Sequence, residues 1–104
     1  MKLATWNINS VRLRQELVLR FLKEQAPDVL CLQETKVVND LFPGDPFRQA
    51  GYVHQAIHGQ KGYHGVAILS RRPFAKTANR QYCGKDDTRH ISVTFEDGLE
   101  LHNF

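Results

Sequence analysis

The first residues alternate between apolar and polar. From Lys2 to Ile8, Ala4, Trp6 and Ile8 share one face while Thr5, Asn7 and Asn9 share the other, which predicts a strand. The spacing then changes. Leu13, Leu17 and Phe21, with Val18 and Leu22, form the apolar stripe of an amphipathic helix from about Leu13 to Gln25. Pro27 ends that helix, because the residue before a proline is pushed out of the α region. Val29 to Gln33 is a short, continuously apolar run suited to a strand buried on both faces. Strand, helix and strand in this order predict a right-handed parallel crossover.

Beyond Lys36 the pattern loosens into the loop Phe42-Pro43-Gly44-Asp45-Pro46, and Phe47 to Ala50 suggest a short helical turn stopped by Gly51. Tyr52 to Ile57 and Gly65 to Ser70 read as strands flanking the loop Gly59-Gln60-Lys61-Gly62. Arg71 to Asp87 is polar and irregular. Ile91, Val93 and Phe95 then alternate with Ser92 and Thr94, Asp97-Gly98 is a hairpin signal, and a returning strand begins at Leu99. These elements predict a mixed α/β sheet with helical cover on one face at most. So apolar a sheet needs its second face covered too, and the chain reads as the first part of a larger domain.

Composition narrows the class without naming a function. With 41% hydrophobic and 24% charged residues the chain is globular rather than disordered. The net charge, 14 − 11 = +3, permits a polyanionic partner without requiring one. No apolar run approaches the roughly 20 residues of a membrane span, and Met1 to Asn7 lacks the apolar region of a signal peptide. Two cysteines, Cys31 and Cys83, are too few for a disulfide framework or a zinc cluster, and they fit a reducing cytoplasm.

Chemistry is sought first at the strand ends. Asn7 and Glu34 stand at or near the C-terminal ends of two predicted parallel neighbours, where open α/β sheets bind ligands. Both offer hard oxygen donors, and magnesium takes one or two carboxylates before completing its shell with water and phosphate oxygens. The plainer alternative is an Asn and a Glu that solvate strand ends. Arg12 and Arg14 stand where the helix begins, although the helix dipole disfavours a cation there by ~0.3–1 kcal/mol. Phosphate contacts explain them, and so do ordinary solvated charges.

The segment Gly59-Gln60-Lys61-Gly62-Tyr63-His64-Gly65 could bring backbone N–H groups and an aromatic ring to a nucleotide; a flexible hairpin connection explains its glycines equally well. His54 and His58 lie in a strand-like segment, about 13 Å apart and too far for a shared zinc. His64 and His102 show no partner and read as polar surface residues. Asp86-Asp87 reads as a solvated loop rather than a metal pair, since adjacent side chains diverge. Arg89 and His90 open a strand and either reach a phosphate or stay in water. No Ser/His/Asp or Cys/His nucleophile system is visible.

Taken together, "ATWNINSVRLR", "PDVLCLQETK", "FP" and "GQKGYHGVAILSRRP" resemble the exonuclease III family of apurinic/apyrimidinic endonucleases, within the endonuclease–exonuclease–phosphatase superfamily. The likeness runs from Met1 through about Arg72, and more loosely from Arg89 to Phe95. It implies a four-layered α/β sandwich, two mixed sheets face to face with helices outside, of which this chain covers most of the first half. It implies a divalent metal, Mg2+ or in its place Mn2+, held by Glu34, with Asn7 in the metal and phosphate network and Asn9 close by. Arg12, Lys36, Gly62 and Tyr63 would line the DNA-backbone surface, with Arg89 a further candidate.

The implied partner is double-stranded DNA with abasic sites or 3′ ends, met by a monomer with no membrane association. The implied reaction is hydrolysis of the phosphodiester 5′ to an abasic site, with 3′→5′ exonuclease and 3′-phosphatase activity in the complete protein. A superfamily phosphodiesterase acting on a non-DNA substrate, and a non-catalytic product, are the alternatives. Ser10 follows Asn9 where the family commonly has glycine. The larger departure lies at the other end. The family's downstream Tyr-x-Pro, Asp-x-Asn and Ser-Asp-His segments do not occur here, so these 104 residues alone are expected to be inactive.

Overall fold

The apolar run Val29–Gln33 forms strand β2, and its side chains divide between two cores. Leu30 and Leu32 pack with Ile8, Val11, Val18, Leu22, Phe47 and Tyr52, whereas Val29 and Cys31 pack with Val66, Ile68, Ile91, Val93 and Phe95. Burying one such side chain contributes on the order of 1.5–3 kcal/mol. An exposed ion pair such as Arg20–Glu24 contributes about 0.3–0.5 kcal/mol, so β2 anchors the fold. The computed structural model describes residues 1–79 and 88–104.

Strand β1 (Leu3–Asn7) runs parallel to β2 with Asn7 opposite Gln33, as the crossover predicts. On the other side of β2 lie β4 (Val66–Ser70) and then β3 (His54–His58), both pairs antiparallel. The sheet order is β1-β2-β4-β3. Helices α1 (Gln15–Gln25) and α2 (Gly44–Gln49) cover one face. None of the described helices is long and apolar enough to cross a membrane.

The second face is covered by a second sheet, as the family resemblance implies. Strands β5 (Phe74–Ala78), β6 (Ile91–Phe95) and β7 (Glu100–Asn103) form a separate antiparallel sheet, order β5-β6-β7, that packs on it. The chain therefore supplies its own second cover, and the described residues build three layers, helices, sheet and sheet. Strand β5 lies in the stretch expected to be irregular. It carries no apolar alternation because only Phe74 is partly buried, and a bulge interrupts its pairing between Phe74 and Lys76. Cys83 and the Asp86-Asp87 pair lie outside the described residues.

Helix α1 ends as expected, with Ala26 in a left-handed cap bonded to the Leu22 carbonyl. Only part of the expected stripe is buried: Val18 and Leu22 are buried and Phe21 partly so, while Leu13, which precedes the helix, and Leu17 are 75% and 53% exposed. The chain turns sharply before the helix. Ser10 has φ 85, a conformation glycine adopts without steric cost, and Arg14 folds back to donate to the Asn9 carbonyl.

One buried polar residue joins the two sheets. The Asn103 amide donates to the Leu32 and Ala67 carbonyls, each at 2.9 Å. Its Oδ1 accepts from Gln33 Nε2 at 2.7 Å, and the same nitrogen donates to Thr5 Oγ1 at 2.8 Å. Replacing Asn103 with Leu in the intact protein strips partners from this buried set and should cost about 2–4 kcal/mol. Denaturant unfolding reads the loss; a change below about 0.5 kcal/mol, the range of an ordinary surface substitution, would contradict the bridge.

Candidate active site

The parallel ladder of β1 and β2 does not stop where the strands do. Ile8 N–H donates to the Gln33 carbonyl at 3.0 Å, Ser10 N–H to Glu34 at 2.9 Å and Val11 N–H to Thr35 at 3.1 Å. These bonds hold Glu34 and Lys36 with φ of 53 and 58, where a strand would be extended. The reversal ends the in–out alternation and leaves Glu34 as the first carboxylate at the strand end.

Four polar side chains meet there. Asn7 Nδ2 donates to Glu34 Oε2, and Lys36 Nζ donates to Asn9 Oδ1. The same ammonium lies 3.8 Å from Glu34 Oε1. The Glu34 side chain is 44% exposed, open to a ligand rather than walled into the core. Sequence reasoning named all four residues, and the structure brings them into one connected group.

The glycine loop closes the next side. Thr35 N–H donates to the Gly65 carbonyl at 3.1 Å, Lys36 N–H to the His64 carbonyl at 2.8 Å, and Gly65 N–H to the Thr88 carbonyl at 3.1 Å. A backbone ladder thus runs from Ser10 through Glu34 and Gly65 to Thr88. Tyr63 and Arg89, both exposed, lie in the segments that this ladder joins. Gly62 has φ 85 at the loop tip, and a Cβ added there would meet nothing within 4 Å. Arg12 is exposed in the turn after Ser10. Arg14 is spent on the Asn9 carbonyl and shapes that turn.

Several other expectations change. His64 and His102, expected to lack partners, both have them. His64 Nε2 lies 3.1 Å from Arg89 Nη2, and His102 lies 2.9 Å from His90 Nε2 and 2.7 Å from Glu100 Oε1. His54 and His58 sit on β3, the edge strand opposite β1, and His54 packs on Phe74. Sequence reasoning missed Gln33, Thr35 and Asn103. The shared parity of Leu101 and Asn103 along one strand face was the available signal for the last.

The residues present fit a hard divalent cation in an open site. Glu34 supplies one carboxylate, Asn7 and Asn9 supply amide oxygens, and an ammonium already sits against Glu34 and Asn9. Among the described residues no group of three His, Cys, Asp or Glu side chains could hold a metal ion by itself. Cys31 takes no part: it is buried between the sheets, and burial pushes its thiol up to about 11.

Comparison with known proteins identifies the family. Residues 4–103 match the model of the endonuclease/exonuclease/phosphatase family. Exodeoxyribonuclease III of Haemophilus influenzae is 40% identical over 72 residues, which is 69% of this chain and 27% of that protein. An AP endonuclease from Archaeoglobus fulgidus superposes with a TM-score of 0.90 and 39% identity, over 100% of this chain and 40% of that one. A Neisseria 3′ phosphatase bound to a product DNA hairpin gives 0.90 and 35%, over 98% of this chain and 40% of that one. The chain thus spans well under half the length of these relatives. With the sandwich, the strand-end carboxylate and nearly every residue aligned, the chain belongs to the endonuclease/exonuclease/phosphatase family, in the branch of exodeoxyribonuclease III and the AP endonucleases.

Proposed function

We propose that the intact protein is a magnesium-dependent DNA repair nuclease that hydrolyses the phosphodiester 5′ to abasic sites, with 3′→5′ exonuclease and 3′-phosphatase activity. The observation that carries this reading is the Asn7–Glu34–Lys36–Asn9 group at the ends of parallel strands, flanked by a glycine loop bearing an exposed tyrosine and by Arg89. Glu34, with Asn7 and Asn9 beside it, would hold Mg2+. When bound, the metal neutralises charge on the phosphate and stabilises the leaving oxygen.

The chain's own groups do the rest of the positioning. Asn7 fixes one oxygen of Glu34 by donating to it, which leaves the other turned toward Lys36. Lys36, Arg12 and Arg89 supply cations for successive phosphates of one strand, so binding should weaken as salt rises. Tyr63 offers a ring on which a base or sugar can rest, and Gly62 lets the backbone pass close to the duplex.

The family also contains phosphodiesterases and phosphatases, so the substrate is the point to test. The intact protein in magnesium should cleave a duplex carrying one abasic site and leave a soluble inositol phosphate untouched. Turnover of the inositol phosphate with an uncut duplex would replace this reading with the non-DNA one.

A further inference from the structure

The side chain beside Arg89 is as informative as Arg89 itself. Arg89 Nη2 lies 3.1 Å from His64 Nε2. A guanidinium only donates, so in this contact His64 Nε2 is the acceptor. The imidazole is held on several sides. The His64 carbonyl accepts from Lys36 N–H at 2.8 Å, its backbone sits at φ 57, and the Tyr63 ring meets its ring edge-on with centroids 5.0 Å apart. A fixed acceptor thus stands against an exposed arginine, a side chain with about 2 kcal/mol of rotamer entropy to lose on binding.

We propose that His64 is a positioning residue, which sets the Arg89 guanidinium on the DNA-backbone surface beside Tyr63 before the duplex arrives. The inference rests on the proposed function and deepens it. The arginine fork has five donors, so the single contact with His64 does not by itself exhaust its capacity to meet a phosphate. The same chain of bonds ties this pair to the metal-side group, because Lys36 donates its backbone N–H to His64 and its ammonium to Asn9. The backbone contact is thereby placed in register with Glu34.

The rival role for His64 is a direct phosphate contact of its own, and a double-mutant cycle separates the two. The intact protein and its His64→Ala, Arg89→Ala and doubly substituted variants would be titrated with an abasic-site duplex across a range of salt. His64→Ala should weaken binding about tenfold and lower the salt slope by up to about one phosphate contact. In the Arg89→Ala background it should do nothing further. His64→Gln, whose amide oxygen can accept the same N–H, should recover most of the binding. Additive effects of His64→Ala and Arg89→Ala, or a His64→Gln variant as weak as His64→Ala, would overturn the inference while leaving the function standing. If the unsubstituted protein ignores the duplex, the function itself fails and the inference with it.

Discussion

Glu34→Ala in the intact protein should lower metal-dependent turnover by about 10³-fold, with little change in stability. The reasoning is that a bound cation lowers the barrier by several kcal/mol, and Glu34 is the carboxylate this strand end offers it. Asn7 and Asn9 are neutral donors and do not replace that charge. Glu34→Gln separates charge from hydrogen bonding, because its amide oxygen can still accept from Asn7. It should lose nearly as much activity as the alanine variant. Both substitutions act at a partly exposed side chain, so unfolding midpoints should shift by no more than about 1 kcal/mol. Steady-state kinetics over a magnesium titration would settle the matter, and near-normal turnover in either variant contradicts the assignment of Glu34.

A large stability effect should come from Gly65→Ala. A Cβ at Gly65 would lie 2.2 Å from Thr35 Oγ1 and 3.3 Å from Lys36 N, and φ is +94. Thr35 is 2% exposed and cannot swing away. Strain at the left-handed position and overpacking against Thr35 together should cost about 2–6 kcal/mol. Any relief would push the Gly65–Thr35 and His64–Lys36 backbone bonds apart, and these set the place of Lys36. Gly62→Ala is the control. Its φ is +85, but its Cβ would enter open space, so only backbone strain of about 1–2 kcal/mol remains. Denaturant unfolding of the two variants should therefore give clearly separated midpoints. Coincident midpoints would show that the close approach at Gly65 is not what fixes the loop.

Much of the first sheet was legible because burial on two faces leaves a mark in composition. Val29 to Leu32 could be placed as a central strand for that reason, and Asn7 and Glu34 followed as strand-end residues. The second sheet was half legible. Ile91, Val93 and Phe95 alternate and so announce an inner face, but alternation does not say what that face meets. Strand β5 carried no mark at all, since an exposed edge strand has nothing to bury.

The site shows the same division. Residue types revealed the donors and the cations. The joins of Lys36 to Asn9 and of His64 to Arg89 link positions 27 and 25 residues apart, and no local pattern encodes them. Nor could sequence show that Glu34 and Lys36 take positive φ, because that signal is usually read from glycine. Asn103 was hidden for a related reason. A polar residue at an inward position looks like a strand end until its partners, Leu32, Ala67 and Gln33, are seen in space.

The central claim, that this strand-end group belongs to a metal-dependent abasic-site nuclease, is met most directly by one incision assay. The intact protein is incubated with a duplex carrying a single abasic site and labelled on the damaged strand, with magnesium and then with a chelator in excess. A single cut immediately 5′ to the lesion, abolished by the chelator and restored by added magnesium, is the predicted result. An uncut duplex in magnesium, or a cut that persists unchanged in the chelator, would contradict it.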